Sequence, residues 1–259
     1  MLNLNDATVE DAHNIARSLL RETPWAVFNK QDLTMQQEVD FCSMIGECQQ
    51  VLGERSKHIA IHDNILRVTG ELDQDGEPGL FGHEDALDWH ANQASNPERS
   101  PLIWLYAKKD THGSVTSWIN MIEAYDDLPS ITKREIEDIQ ITLGYKSGNY
   151  SNSKFFVEHH NVENPFRLVH TNDGGQKGLY FPFLQIFGMV DKDANEFEQY
   201  MEFLTDHVLK DKYRYDHEWN DGDVVISEQW LSIHKRHTFK YMQDRVLHRI
   251  AFDYDRVKL

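Results

Sequence analysis

The sequence of 259 residues predicts a mainly β protein with flanking helices, built around a jelly-roll or barrel core. Three observations favour this fold class. Many short apolar runs alternate with turn residues, as in all-β domains. The helical patterns gather near the N-terminus and between strands, and no βαβ repeat or glycine-rich phosphate loop occurs. No internal repeat or linker divides the chain, so we expect residues 1–259 to form a single domain.

The first half of the chain predicts two helices followed by strands. Residues 6–22 carry apolar side chains at helical spacing, and a second helix is expected to begin at Thr34 and end at Gly46. A polar loop is predicted over residues 70–86, and a turn at 112–113. Strand-like runs cover residues 25–28, 58–69, 102–106 and 113–119.

The second half of the chain begins with two short predicted helices, over residues 121–127 and 131–139. Residues 144–164 are rich in Ser, Asn, Gly and Lys and lack periodicity, which predicts a long mobile loop. The tetrad Asn172–Gly175 lies between two apolar runs and predicts a β-hairpin. Residues 194–208 are amphipathic and predict a helix. Further strands are expected over residues 213–219, 223–227 and 245–254.

The charge and the cysteine content restrict the class of partner. The formal net charge is −17, from 43 acidic and 26 basic residues. Such a surface repels phosphate groups, so we expect no nucleic-acid partner and no docking to anionic membranes. The only two cysteines, Cys42 and Cys48, form no CxxC motif and are expected to be free thiols. No run approaches the roughly 18 apolar residues of a membrane span, and a cytoplasmic location is expected.

Two histidines and one arginine stand out as candidates for chemistry. His90 precedes a strong strand, and His234 lies far along the chain after another. With a carboxylate, two such imidazoles form the facial triad that leaves coordination positions of iron open. Arg249 follows His234 by fifteen residues, and a guanidinium buried there needs a carboxylate partner such as a dicarboxylate co-substrate. From the residues alone, Arg249 could equally form an internal salt bridge. His90 and His234, two of fourteen histidines, could equally have structural roles.

The motifs together resemble the taurine/alpha-ketoglutarate dioxygenase family of Fe(II)- and 2-oxoglutarate-dependent oxygenases. The resemblance extends over nearly the whole chain. Each motif alone is weak evidence for it, whereas the shared order and spacing of all the motifs are specific evidence. It is carried by Ala26–Thr34, Asp88-Trp-His-Ala-Asn92, Gly113-Ser-Val-Thr116, Asn120–Pro129, Trp219–Asp223, His234 and Arg249. The resemblance implies a double-stranded β-helix, which is a form of jelly roll.

The resemblance also implies an activity and its cofactors. The chain is expected to be an oxidoreductase that hydroxylates a small organic molecule with O2, while 2-oxoglutarate is converted to succinate and CO2. His90 and His234 are the expected catalytic residues and, with Asn92, the expected ligands of iron(II). Thr116 and Arg249 are expected to bind 2-oxoglutarate. A homo-oligomer is compatible with the sequence.

A substrate pocket is expected close to these motifs. Trp89 and Trp230 flank the two histidines, although core packing explains large aromatic residues equally well. The predicted loop over 144–164 is expected to close over the substrate. The candidate pocket residues are Trp89, Phe156, His159, Trp230 and Arg245.

Asn92 departs from the family pattern, which has an aspartate two residues after the first histidine. An amide oxygen is neutral and is a poorer ligand for a hard cation than a carboxylate. We favour an enzyme in which Asn92 binds the metal or lies beside a water ligand. Three alternatives stay open: a carboxylate from His83–Asp85 or Asp88, a halide on iron as in related halogenases, and a non-catalytic ligand-binding protein.

Overall fold

The central feature of the fold is a six-stranded antiparallel sheet. In this computed structural model, which describes residues 2–51, 60–72, 82–145 and 159–255, the sheet order is β1-β13-β5-β15-β3-β2. Its strands are Trp25–Phe28 (β1), Ala60–His62 (β2), Ile65–Thr69 (β3), Leu102–Lys109 (β5), Val224–Glu228 (β13) and Val246–Phe252 (β15). All five pairs of neighbouring strands in this sheet are antiparallel.

A second antiparallel sheet has the order β12-β6-β14-β4. Its strands are Leu87–His90 (β4), Val115–Asn120 (β6), Arg214–Glu218 (β12) and Ser232–Arg236 (β14). A three-stranded sheet and a hairpin complete the β structure among the described residues. They contain Gln140–Tyr145 (β7), His159–Arg167 (β8), Val169–Thr171 (β9), Lys177–Leu179 (β10) and Ile186–Met189 (β11).

Helices cover the outer faces of these sheets. Thr8 and Thr34 each form a capping box at the start of the first two helices, which satisfies two backbone N–H groups at each helix start. The helices are Val9–Arg21 (α1), Met35–Ile45 (α2), Met121–Asp126 (α3), Ser130–Ile136 (α4) and Ala194–Val208 (α5). In the part of the chain that the structure describes, no helix has the length and apolar composition needed to cross a bilayer.

Side-chain alternation along each strand separates the two faces of the six-stranded sheet. On β5, Leu102, Trp104 and Tyr106 belong to the core cluster that includes α1 and α2. The intervening residues Ile103 and Leu105 belong to a different cluster, which includes Trp118 of β6. The six-stranded and four-stranded sheets therefore face each other, and helices cover the outside of the larger one.

The four-stranded sheet follows the same rule. Trp89, Ile119 and Ile233 pack outward in a core cluster with β7 and α5. Their neighbours on β4 and β14, His90 and His234, therefore point toward the gap between the two sheets. The alternation thus separates a packing face from a face that carries polar side chains.

The structure confirms a mainly β protein with flanking helices. The helices expected at 6–22, 34–46 and 194–208 are present, and the hairpin at Asn172–Gly175 forms with Gly175 at a φ of 84°. That positive φ favours glycine, which has no Cβ to clash with the backbone.

Several elements differ from the sequence expectations. β4, β7, β11 and β14 were not predicted, and residues 159–164, expected in a loop, belong to β8. The helix expected over 131–139 ends at Ile136, and a strand follows from Gln140. Residues 146–158 of the predicted mobile loop lie outside the described residues. β4 and β14 escaped prediction because they place polar side chains on their inner face, which weakens the apolar alternation.

Candidate active site

Two histidines face each other across neighbouring strands. Antiparallel pairing places His234 of β14 directly opposite His90 of β4. Their ring centroids lie 4.2 Å apart, with 50° between the ring planes. Both side chains are buried and line a cavity between the two sheets. The structure thus brings together two imidazoles that are far apart in sequence.

The surroundings keep both imidazoles neutral. The Nδ1 atom of His90 lies 2.6 Å from the carbonyl oxygen of Asp88, so Nδ1 carries the proton and Nε2 keeps its lone pair. Burial lowers the pKa of His90 to about 4. Burial, together with His90 and Arg249, lowers the pKa of His234 well below its usual range. A metal ion binds the neutral form of imidazole, so both rings are prepared for coordination at neutral pH.

Asn92 follows the first histidine and contacts Arg249. Its Oδ1 atom accepts a hydrogen bond of 3.3 Å from Nη1 of Arg249. An amide oxygen has two lone pairs, so this contact leaves one for a cation. Asn92 also lines the cavity that contains both histidines. The residues therefore fit a divalent metal with two imidazoles and a neutral third donor.

The described residues offer no carboxylate to replace this amide. No group of three His, Cys, Asp or Glu side chains able to hold a metal occurs among them. Asp85 is exposed, and its carbonyl oxygen accepts a hydrogen bond from Arg236. The carboxylate of Asp88 pairs with Lys235 at 3.0 Å. The structure does not bring Asp85 or Asp88 into the cavity lining, so the alternative in which either supplies the carboxylate is not supported.

Side-chain amides fix the backbone that carries Asn92. Gln229 accepts a hydrogen bond of 2.9 Å from the N–H of Asn92. Gln185 bonds to both the N–H and the carbonyl oxygen of Ala91, at 2.9 and 3.1 Å. Arg99 donates to the carbonyl oxygen of Asn92 at 3.3 Å. Sequence reasoning missed these two glutamines, because no local pattern shows that a distant amide will meet this backbone.

Three arginines line the same cavity, and no acidic side chain does so among the described residues. Arg236 donates to the carbonyl oxygens of His83 and Asp85 at 2.7 and 2.5 Å. Arg245 is 1% exposed, and its Nε donates to Ser114 at 3.0 Å. Its Nη1 and Nη2 atoms are buried without a hydrogen-bond partner in the described structure. Burial, and the nearby charge of Arg236, lower the pKa of Arg245 to about 9.

Thr116 lies on the same face of β6 as the arginine contacts. It pairs with Arg236 across β6 and β14, and it lines the cavity. Its hydroxyl oxygen accepts a hydrogen bond of 2.9 Å from the indole of Trp219. Ser114, which holds Arg245, precedes Thr116 by two residues. Ser114 lies one residue before β6, so the hydroxyl that holds Arg245 and the hydroxyl of Thr116 both lie at the start of this strand.

The chain matches a family model described as the taurine catabolism dioxygenase TauD, TfdA family, over residues 2–251. The chain belongs to this family. Its α-ketoglutarate-dependent dioxygenases use Fe(II) and 2-oxoglutarate, so the protein is an oxidoreductase with those cofactors. The resemblance predicted from the motifs is confirmed.

Individual members of the TauD, TfdA family are distant in sequence. Pentalenolactone F synthase from Streptomyces avermitilis is 22% identical over 214 residues, covering 75% of this chain and 70% of that protein. The alpha-ketoglutarate-dependent 2,4-dichlorophenoxyacetate dioxygenase of a Burkholderia species is 22% identical over 264 residues, covering 95% and 86%.

Solved structures share the fold at similar distance. The structure of AAD-2 with Mn(II) and N-oxalylglycine has a TM-score of 0.77 and 21% identity, covering 98% of this chain and 92% of that one. A taurine dioxygenase from Burkholderia xenovorans has a TM-score of 0.75 and 20% identity, covering 98% and 84%.

The structure does not bring every predicted pocket residue to the cavity. Trp89 packs on the outer face of β4, because it alternates with His90. The ring of Trp230 stacks on the ring of His170, with 4.4 Å between their centroids. The guanidinium carbon of Arg99 lies over the Trp230 ring, 4.1 Å from its centroid. Arg245 does line the cavity. Phe156 lies outside the described residues, as does the side chain of His159.

Glu228 is a further residue that sequence reasoning missed, and it shapes the turn from β13 to β14. It is fully buried and accepts hydrogen bonds from the N–H groups of Leu231 and Trp230, at 2.7 and 3.1 Å. Burial raises the pKa of Glu228 from the ordinary 4.5 to about 7, although these two donors oppose the shift. Because the folded-state pKa is raised, its stabilising contribution is complete below pH 4.5 and is lost as the pH rises through 7.

We therefore predict that Glu228→Gln changes the pH dependence of stability. Between pH 4.5 and pH 8, the free energy of unfolding of the variant should gain about 3 kcal/mol relative to the unsubstituted protein. Urea unfolding at a series of pH values measures this difference. Glu218→Gln, at an exposed position of β12, is the matched control and should show no such trend. Parallel stability curves for Glu228→Gln would contradict the prediction.

Proposed function

We propose that this dioxygenase hydroxylates a small organic molecule, using 2-oxoglutarate and O2 and releasing succinate and CO2. The single observation that carries the proposal is the buried pair His90–His234, which shares one cavity with the partly unpaired guanidinium of Arg245. The proposed architecture is one domain with a double-stranded β-helix core, made by the four-stranded and six-stranded sheets.

His90 and His234 are the proposed catalytic residues and, with Asn92, the proposed holders of the metal. When bound, iron(II) supplies the redox chemistry that couples decarboxylation of 2-oxoglutarate to oxidation of a C–H bond. His90 is oriented by the carbonyl of Asp88, and the amides of Gln185 and Gln229 fix the segment of Asn92. Hydrogen bonds of this kind orient the side chains that bind a metal.

Arg245 is the proposed partner of the far carboxylate of 2-oxoglutarate. Its two free Nη groups match the bidentate geometry of a carboxylate, and an uncompensated buried charge is unfavourable. Thr116 is the proposed second contact, since it lines the same cavity two residues after Ser114. This assignment differs from the sequence expectation for Arg249, which contacts Asn92 instead.

A ligand-binding protein without turnover is the second candidate. The observation that favours it is the neutral third donor, since the described residues supply no carboxylate to the histidine pair. Both candidates predict that the protein binds 2-oxoglutarate, but only the enzyme is expected to release succinate.

Succinate release separates the two candidates. The purified protein with Fe(II), ascorbate, air and 2-oxoglutarate should form succinate, and a panel of small organic acids should stimulate it. His234→Gln, which removes one imidazole from the cavity, is the control and should reduce succinate formation by about 100-fold or more. Binding of 2-oxoglutarate without succinate above this control, for every acid tested, would favour the second candidate.

The affinity for Mn(II) tests whether Asn92 contacts the metal. We expect Asn92→Asp to bind Mn(II) at least about tenfold more tightly in calorimetric titration, because a carboxylate is a better donor to a hard cation. Asn92→Ala, which removes the donor, should bind more weakly than the unsubstituted protein. Equal affinities for all three proteins would place Asn92 outside the ligand shell.

The two arginines can be distinguished by the affinity for 2-oxoglutarate. Anaerobic titration of the Fe(II) protein, followed by the weak visible absorption of the chelate, gives this affinity directly. Arg245→Met should weaken binding by about 30-fold or more, since truncating one side of a buried charge pair has a large effect. Arg249→Met is the matched variant and should weaken it by no more than about threefold. If Arg249→Met weakened 2-oxoglutarate binding more than Arg245→Met, the far carboxylate of the co-substrate would be assigned to Arg249 instead.

A further inference from the structure

The two cysteines of the chain lie close together at the end of α2. Cys42 is in the last turn of the helix, and Cys48 follows shortly after the helix has ended. Both are free thiols. Cys42 belongs to the core cluster that includes α1 and α2, and Cys48 packs against that cluster. Because the chain has no other cysteine, a disulfide within one molecule can join only these two.

The side chain of Cys48 reaches back over the helix to Cys42. Its Sγ atom lies 3.5 Å from Oγ of Ser43 and 3.8 Å from the carbonyl oxygen of Val39. These contacts place the sulfur on the turn of α2 that carries Cys42, and the two thiols hydrogen-bond to each other. Two cysteines can be bridged without backbone movement only where their side chains point toward each other, and this pair meets that condition.

The backbone around Cys48 is held in place on two sides. Cys48 pairs with Phe252 of β15 across an isolated antiparallel bridge. The next residue, Gln49, donates its N–H to the carbonyl oxygen of Ala251 at 2.8 Å. On the other side, the amide of Asn64 donates to the carbonyl oxygens of Cys48 and Gln49, at 3.1 and 3.3 Å. A bond between the two sulfurs would therefore fasten α2 to a segment that runs along β15.

The two thiols differ in exposure and in acidity. Cys42 is fully buried, and burial raises the pKa of its thiol well above the usual range. Cys48 is partly exposed. Its hydrogen bonds to Cys42 and Ser43 lower the pKa of its thiol, although burial and the charge of Glu47 oppose the shift. The thiolate is the reactive form of cysteine, so Cys48 is the more reactive sulfur and the one that a solute can reach.

We propose that Cys48 and Cys42 form a reversible disulfide when the protein is exposed to hydrogen peroxide, and that Cys48 is oxidised first. The Cys48 sulfur loses its proton and attacks one oxygen of the peroxide. The O–O bond breaks, and the departing hydroxide takes up that proton to form water. Cys48 is then a sulfenic acid. This inference goes beyond the proposed function and needs neither the metal nor 2-oxoglutarate.

Cys42 completes the reaction. Its sulfur attacks the sulfur of Cys48, the S–O bond breaks, and the hydroxide leaves as water with the thiol proton of Cys42. In total, two thiols lose two electrons and two protons, and one peroxide becomes two waters. The second thiol thereby stops oxidation at a reversible stage, because a sulfenic acid without a neighbouring thiol is oxidised further to sulfinic acid.

Thiol counting and peptide mapping test the proposal. The full-length protein is freed of metal, kept with a chelator to prevent iron-catalysed oxidation, and treated with hydrogen peroxide. Both thiols should disappear together, and dithiothreitol should restore them. The map should contain the Cys42 and Cys48 peptides linked to each other, with a mass about 2 Da below their sum. Electrophoresis without reductant should show no covalent dimer.

Two single variants assign the order of attack. In Cys42→Ala, the Cys48 peptide should carry sulfinic or sulfonic acid, which dithiothreitol does not reverse. In Cys48→Ser, which keeps a hydroxyl at the same position, the buried thiol of Cys42 should survive at least about tenfold longer than the thiol of Cys48 does in Cys42→Ala. Equal rates of thiol loss in the two variants would overturn the assignment of Cys48 as the sulfur attacked first.

The unsubstituted protein decides the proposal whether or not a variant folds. Two thiols that both persist in peroxide would overturn it. A disulfide between two molecules would also overturn it, as would a Cys48 peptide that ends as sulfinic acid although Cys42 is present. None of these results bears on the proposed function, because the protein contains no metal in this experiment.

Discussion

The antiparallel pairing of β14 with β4 is the constraint on which the site depends. It sets His234 against His90, and the pairing of β14 with β6 sets Arg236 against Thr116. A shift of one residue in either register would exchange the inner and outer faces of a strand. The histidines would then enter the core cluster of Trp89 and Ile233, and those apolar side chains would line the cavity.

This arrangement divides stability and chemistry between the two faces of the same strands. The outward residues of the four-stranded sheet pack with β7 and α5, while its inward residues include His90, His234 and Arg236 beside the apolar Trp118. On β15, Ile250 and Phe252 pack in the cluster of α1 and α2, and Leu247 and Arg249 line the cavity. Polar groups inside the gap weaken packing there, so the outer core clusters must hold the strands in register.

The fold class and the histidine pair could be predicted from the sequence because both depend on patterns along the chain. Apolar periodicity identified α1, α2 and β5, and the spacing of motifs identified His90 and His234. Sequence reasoning failed where a role depends on contacts between distant segments. Trp89 lies next to a site residue yet faces the opposite core, and Gln185 meets Ala91 across 94 residues of chain. Arg245 and Arg249 are alike in sequence, and only burial and hydrogen bonding distinguish them.

The replacement of aspartate by Asn92 changes the charge balance of the whole cavity. With an aspartate, the hydrogen bond from Arg249 would join two opposite charges, and the arginine would be partly neutralised. With the amide, the same hydrogen bond joins a charged donor to a neutral acceptor. The neutral amide near the two histidines and the position of Arg249 are therefore linked through one hydrogen bond.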